Sequence, residues 1–174
     1  EVVELLAHHF GMAESRDKAV EYSLLAAEKA HRAWANAEAL AHFDTARRHL
    51  DTMPDSHAVR LWRIDAVLKQ GEVRFALGQH AEHLQHLDGV RTLVQEAADP
   101  ARRAAWCYWT GFLHSLTGSR PDVSIGYCRE AISIADAQGL DEIRAFAESC
   151  LAHTYEVAGR LHDAVSAGER ALAI

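Results

Sequence analysis

Three eight-residue stretches decide the fold: GEVRFALG at Gly71–Gly78, GFLHSLTG at Gly111–Gly118 and AHTYEVAG at Ala152–Gly159. Each opens and closes on a small residue. Forty residues separate the first stretch from the second, and forty-one separate the second from the third. A helical pattern returning at such a period marks stacked helical hairpins, each covering the apolar face of its neighbour. The leading small residue lets two helix backbones approach, and the closing glycine permits a turn. The repeated positions concern backbone approach, not chemistry.

Working outward, apolar residues three and four apart predict helices over Val2 to Ala13, then about 17–33, 36–51, 57–77, 79–97 and 100–117. A seventh reaches Gln138, an eighth spans about 141–158, and a ninth runs into Ile174. The three prolines, Pro54, Pro100 and Pro121, all fall between these segments, as an all-helical chain requires. Asn36, Asp55 or Ser56, Asp99 before Pro100, and Asp141 are the expected N-caps. The segment 100–117 is apolar on nearly every face, which places it at the centre of the stack. The expected architecture is all-α, a right-handed α-solenoid of about nine antiparallel hairpin helices forming one domain over 1–174.

The run Leu151, Ala152, Tyr155, Gly159, Ala164, Gly168, Ala171 resembles the tetratricopeptide repeat in its small, aromatic, turn-glycine and alanine positions. Leu6, Ala7, Phe10, Ala19, Ser23 and Ala26 match the same pattern, although the central period of 40–41 exceeds that family's about 34. A second resemblance rests on Leu5–Phe10, Lys18–Tyr22, Ala35–Phe43 and Met53–Asp55. That run is similar to the helical region after the ATPase module in large bacterial signalling proteins, among them class III adenylate or guanylate cyclases and LuxR-type transcriptional regulators. It implies a non-catalytic sensing or docking arm of such a protein, working through protein–protein contact in signal transduction. The missing initiator Met and the ending within a helical pattern agree with a piece of a longer chain.

A formal net charge of −7 disfavours a nucleic-acid partner, whose phosphates call for a basic face. The longest uncharged run, Ala104–Ser119, is 16 residues and carries His, Ser and Thr, so no membrane span is expected. Cys107, Cys128 and Cys150 form no CxxC and sit among apolar residues, as buried reduced thiols of a cytoplasmic protein do. No nucleophile elbow, Walker loop, HExxH or dinucleotide fingerprint occurs, so neither catalysis nor a cofactor is expected of this segment.

Two polar sets invite a chemical reading. His80, His83 and His86 recur on adjoining helical turns, but a metal would need a ligand from another helix, and a solvated face is the simpler setting. Glu148 and Glu156 share one side of a helix, again with a solvated face expected. In tetratricopeptide stacks the first helix of each hairpin lines a concave surface. Aligned on the small residues, that resemblance implies a lining of Leu68, Glu72 and Phe75, then Tyr108, Phe112 and Ser115, then Phe146, Ser149 and His153. The Lys, Asn and Arg types that clamp a terminal carboxylate in chaperone-binding members are absent from these positions. An aromatic strip remains, suited to a peptide or to an apolar helix from another domain of the parent chain.

Overall fold

Helix fills the computed structural model, which describes residues 2–6 and 16–174. Among the described residues there is no strand, and beyond the helical residues 2–6 ten helices follow. The predicted segment Val2–Ala13 lies outside the described residues from residue 7 onward, and with it Ala7 and Phe10 of the repeat-like pattern. The chain divides into two compact units, Glu1–Gln79 and His80–Ile174.

In the first unit, α1 (Arg16–Arg32) and α2 (Asn36–Asp51) pair as an antiparallel hairpin. Arg16 at the start of α1 donates to the carbonyl of Thr52 beyond the end of α2, while His31 meets Asn36 where the chain turns. Phe43, Leu50, Val20 and a set of alanines fill the space between. Small side chains at these sites allow the two backbones to close. Asn36 does not cap α2; its side chain is the partner of His31. Ser56 does cap the next helix, accepting from the Val59 amide at 3.2 Å.

The segment predicted as one helix over 57–77 is two, α3 (His57–Leu68) and α4 (Gly71–Ala76). At the join the Gln70 amide bonds three residues back, to Val67, and tightens the chain. The buried Gln70 side chain holds the join, donating to the Ala66 carbonyl and accepting from Arg74.

The second unit contains α5 (His80–Gly89), α6 (Arg91–Ala97), α7 (Pro100–Leu116), α8 (Pro121–Gln138), α9 (Asp141–Val157) and α10 (Leu161–Leu172). The predicted helix 79–97 is broken at Val90, whose amide again bonds three residues back, to Leu87. From residue 16 onward eight helices were expected, and these two breaks make them ten. From α7 onward each helix packs on the next. Ser124 meets Thr154, and one turn later in α8 Cys128 meets Cys150, one turn earlier in α9, so the pair runs antiparallel.

Four hairpin or helix ends share one geometry. Gly78, Gly118, Gly139 and Gly159 all have φ between +65° and +74°. The next amide in each case reaches five residues back: Gln79 to Arg74, Ser119 to His114, Leu140 to Ala135, Arg160 to Tyr155. This is the Schellman C-cap, which satisfies carbonyls that the helix leaves open. Gly111 serves the other purpose. A β-carbon there would stand 2.9 Å from Cys128 Sγ and 3.2 Å from the Cys128 amide nitrogen, so α7 and α8 meet through it.

Candidate functional site

Helix α7 begins where Asp99 and Pro100 say it should. Asp99 accepts from the Arg102 amide at 3.0 Å, and that bond, with the Arg102 side chain, holds its carboxyl below the usual carboxylate range. One side of α7 turns inward with Ala104, Cys107 and Gly111, and Leu113 is buried on a different side. Another carries Tyr108, Trp109, Phe112 and Ser115, all half-buried. Helix α9 buries Ala147, Cys150, Leu151 and Tyr155 and leaves Phe146, Ser149 and His153 exposed.

Together these faces form an aromatic strip. The Tyr108 ring stacks on Phe146 at 5.7 Å and on Phe112 at 5.9 Å, with interplanar angles of 23° and 11°. Trp109 tilts against both Tyr108 and Phe112, and His83 of α5 meets Trp109 edge-on at 5.8 Å. Offset and edge-on ring pairs are favourable beyond the area they bury. Phe146 is 46% exposed at one end. Ser115 and Ser149 donate to carbonyls of their own helices, Phe112 and Ala145.

Of the nine predicted lining residues, the structure brings Tyr108, Phe112 and Phe146 into direct contact, with Ser115, Ser149 and His153 on the same two helix faces. Leu68, Glu72 and Phe75 belong to the first unit. Glu72 is engaged there with His31, whose Nε2 lies 2.9 Å from Glu72 Oε2, and this raises the His31 pKa.

Both polar sets differ from their expected setting. His83 is fully buried, covered by Trp109, whereas His80 and His86 are half-buried. Among the described residues no three His, Cys, Asp or Glu side chains are grouped to hold a metal. Glu148 is buried and receives Nε and Nη2 of Arg170 at 2.7 and 2.8 Å, while Glu156 stays exposed. A residue twenty-two positions later on another helix supplies the partner, which no local pattern announces.

The three cysteines are free and buried. Burial pushes the Cys107 thiol up to about 12, and the hydrogen bond between Cys128 and Cys150, together with burial, pushes the Cys128 thiol up as well. Such thiols are held protonated and poorly nucleophilic. Among the described residues no helix is long and apolar enough to cross a membrane.

Beside the strip, α7 shows a further side that the sequence reading did not single out. Trp106, Thr110, His114 and Thr117 line a cleft with Ala81, Leu84, Gln85 and Asp88 of α5 and with Arg91. The available signal was Thr110 and His114, four residues apart in an otherwise apolar segment. No protein-family model matches the chain, and a search of curated proteins finds no match to it.

Proposed function

We propose that this chain is a protein-interaction module that seats an apolar segment of a protein or peptide on the aromatic strip of α7 and α9. The supporting observation is the continuous stack of Phe146, Tyr108 and Phe112, fixed at its base by the core and open at Phe146. Rigid rings with an accessible edge give contact area at little entropic cost, which is why aromatics dominate binding hot spots. The role is binding, and no reaction or cofactor is assigned.

The finer architecture we propose is tetratricopeptide-like, a right-handed α-solenoid, supported by the recurring Schellman ends and by the close approach at Gly111. The sequence run through Lys18–Tyr22, Ala35–Phe43 and Met53–Asp55 supports a place in a larger bacterial signalling protein, as a non-catalytic arm of a class III cyclase or of a LuxR-type regulator. The partner is then a protein segment, which another domain of the same parent chain could supply.

Selection from a phage-displayed peptide library tests the docking role. The wild-type chain is expected to enrich peptides bearing an aliphatic or aromatic anchor. Phe146→Asp is expected to abolish that enrichment with helicity unchanged by circular dichroism. Enrichment that survives Phe146→Asp, or absence of any enrichment, overturns the reading.

A further inference from the structure

We propose that the cleft between α5 and α7 binds a small monocarboxylate with an apolar body. The cleft encloses about 470 Å³, within the span of ~300–1,000 Å³ typical of small-molecule sites. Its floor is Trp106, 7% exposed and locked by an indole hydrogen bond to the Leu87 carbonyl at 2.8 Å. Ala81 and Leu84 add apolar wall.

The polar groups are arranged around one ring, that of Tyr127. Trp106 meets it edge-on at 5.6 Å, His114 stacks on it at 5.9 Å, and Arg91 Nη2 reaches its hydroxyl at 3.5 Å. The Arg91 guanidinium stands 5.7 Å from the Trp106 ring centre. A site organised this way before any ligand arrives loses little entropy on binding.

Thr110 is the group that points to a ligand. It lines the cleft, is only 2% exposed, and its hydroxyl has no hydrogen-bond partner. Buried hydroxyls are ordinarily paired, on a helix commonly with the carbonyl four residues back. A ligand oxygen in the cleft would supply the missing partner.

Charge selects the class. Arg91 presents a planar fork suited to a carboxylate. Its present partner Asp88 lies 2.8 Å away, but both side chains are largely in solvent, and such surface pairs are weak and readily exchanged. An incoming carboxylate can therefore take Arg91 while Asp88 turns to water. The ring or chain of the ligand would lie on Trp106, Ala81 and Leu84. This site stands apart from the aromatic strip: Trp106, Thr110 and His114 occupy one side of α7, whereas Tyr108, Phe112 and Ser115 occupy another.

The probes are benzoate and hexanoate, titrated into the ¹⁵N-labelled full chain, with benzamide as the uncharged control. Saturable shifts of the Trp106 indole and Thr110 amide signals are expected with at least one carboxylate, and much weaker ones with benzamide. Arg91→Gln is expected to weaken binding about tenfold or more, with Arg91→Lys intermediate. Thr110→Val is expected to weaken binding while keeping or raising the melting temperature, because it removes an unpaired hydroxyl; a purely structural Thr110 would lower it. No saturable shift with either carboxylate, benzamide binding equally well, or full affinity in Arg91→Gln and Arg91→Lys overturns the proposal. Phe146→Asp should leave these titrations unchanged, so failure here and failure of the docking role are read separately.

Discussion

At Trp34 the chain uses the same five-back bond that closes the glycine-ended helices, from the Ala35 amide to the Ala30 carbonyl, but without a glycine. Trp34 has φ +61° and is 83% exposed, so it carries the left-handed cost with little burial in return. Trp34→Gly is therefore expected to stabilise the chain by about 0.5–1 kcal/mol in urea unfolding. Gly111 and Gly118 separate two other costs. Nothing lies within 4 Å of a β-carbon at Gly118, so Gly118→Val suffers backbone strain alone, and Gly118→Asn should recover much of the loss. Gly111→Ala instead meets Cys128 and is expected to lose about 1–3 kcal/mol, because a helix backbone has to move. Both glycines stood out in the sequence by spacing. Their different reasons did not, since one is a φ value and the other a neighbour on α8.

Between elements, the Glu148–Arg170 pair joins α9 to α10. The Glu148 side chain is 4% exposed and that of Arg170 47%. Removing the cation leaves a buried carboxylate uncompensated, so Arg170→Met is expected to cost about 2–4 kcal/mol, moderated because water reaches Arg170. Adding Glu148→Gln should recover part of that loss, and a double-mutant cycle in chemical denaturation would measure the coupling. Helix ends were legible at Ser56, Asp99 and Gly159, whereas the expected caps Asn36 and Asp141 begin their helices without a side-chain capping bond. The breaks near Gln70 and Val90 were not legible, because apolar spacing runs through both and the cause is a hydrogen bond three residues back. The aromatic strip was half legible. The tetratricopeptide resemblance, aligned on the small residues, grouped Tyr108, Phe112 and Phe146, whose rings do touch, but their stacking depends on how α7 and α9 pack, and the Trp106 cleft depends on α5 as well.

Over the whole chain, the repeat spacing passes without a change through Gln79 and His80, where the structure divides into two units, so sequence period and compactness are separate properties. Titration gives a test that reaches both units. Glu4, Asp55 and Asp99 are held below their usual values by Lys29, Arg60 and the Arg102 amide, so their contribution is present at neutral pH and is lost on acidification. Three histidines act nearer neutrality and with opposite signs. Burial lowers the pKa of His49 and His114, which favours their neutral forms in the folded chain, so their effect is to raise stability as pH rises toward 6.5. The hydrogen bond to Glu72 raises His31 above 6.5, so its contribution is complete below that pH and is lost as pH climbs through the raised value. His31→Gln removes the opposing member. Between about pH 5.5 and about pH 8, above the carboxylate range, the variant is expected to gain stability more steeply than the wild type. Thermal melts across that window check it, and parallel profiles for the two proteins would show that the His31–Glu72 contact carries no proton linkage.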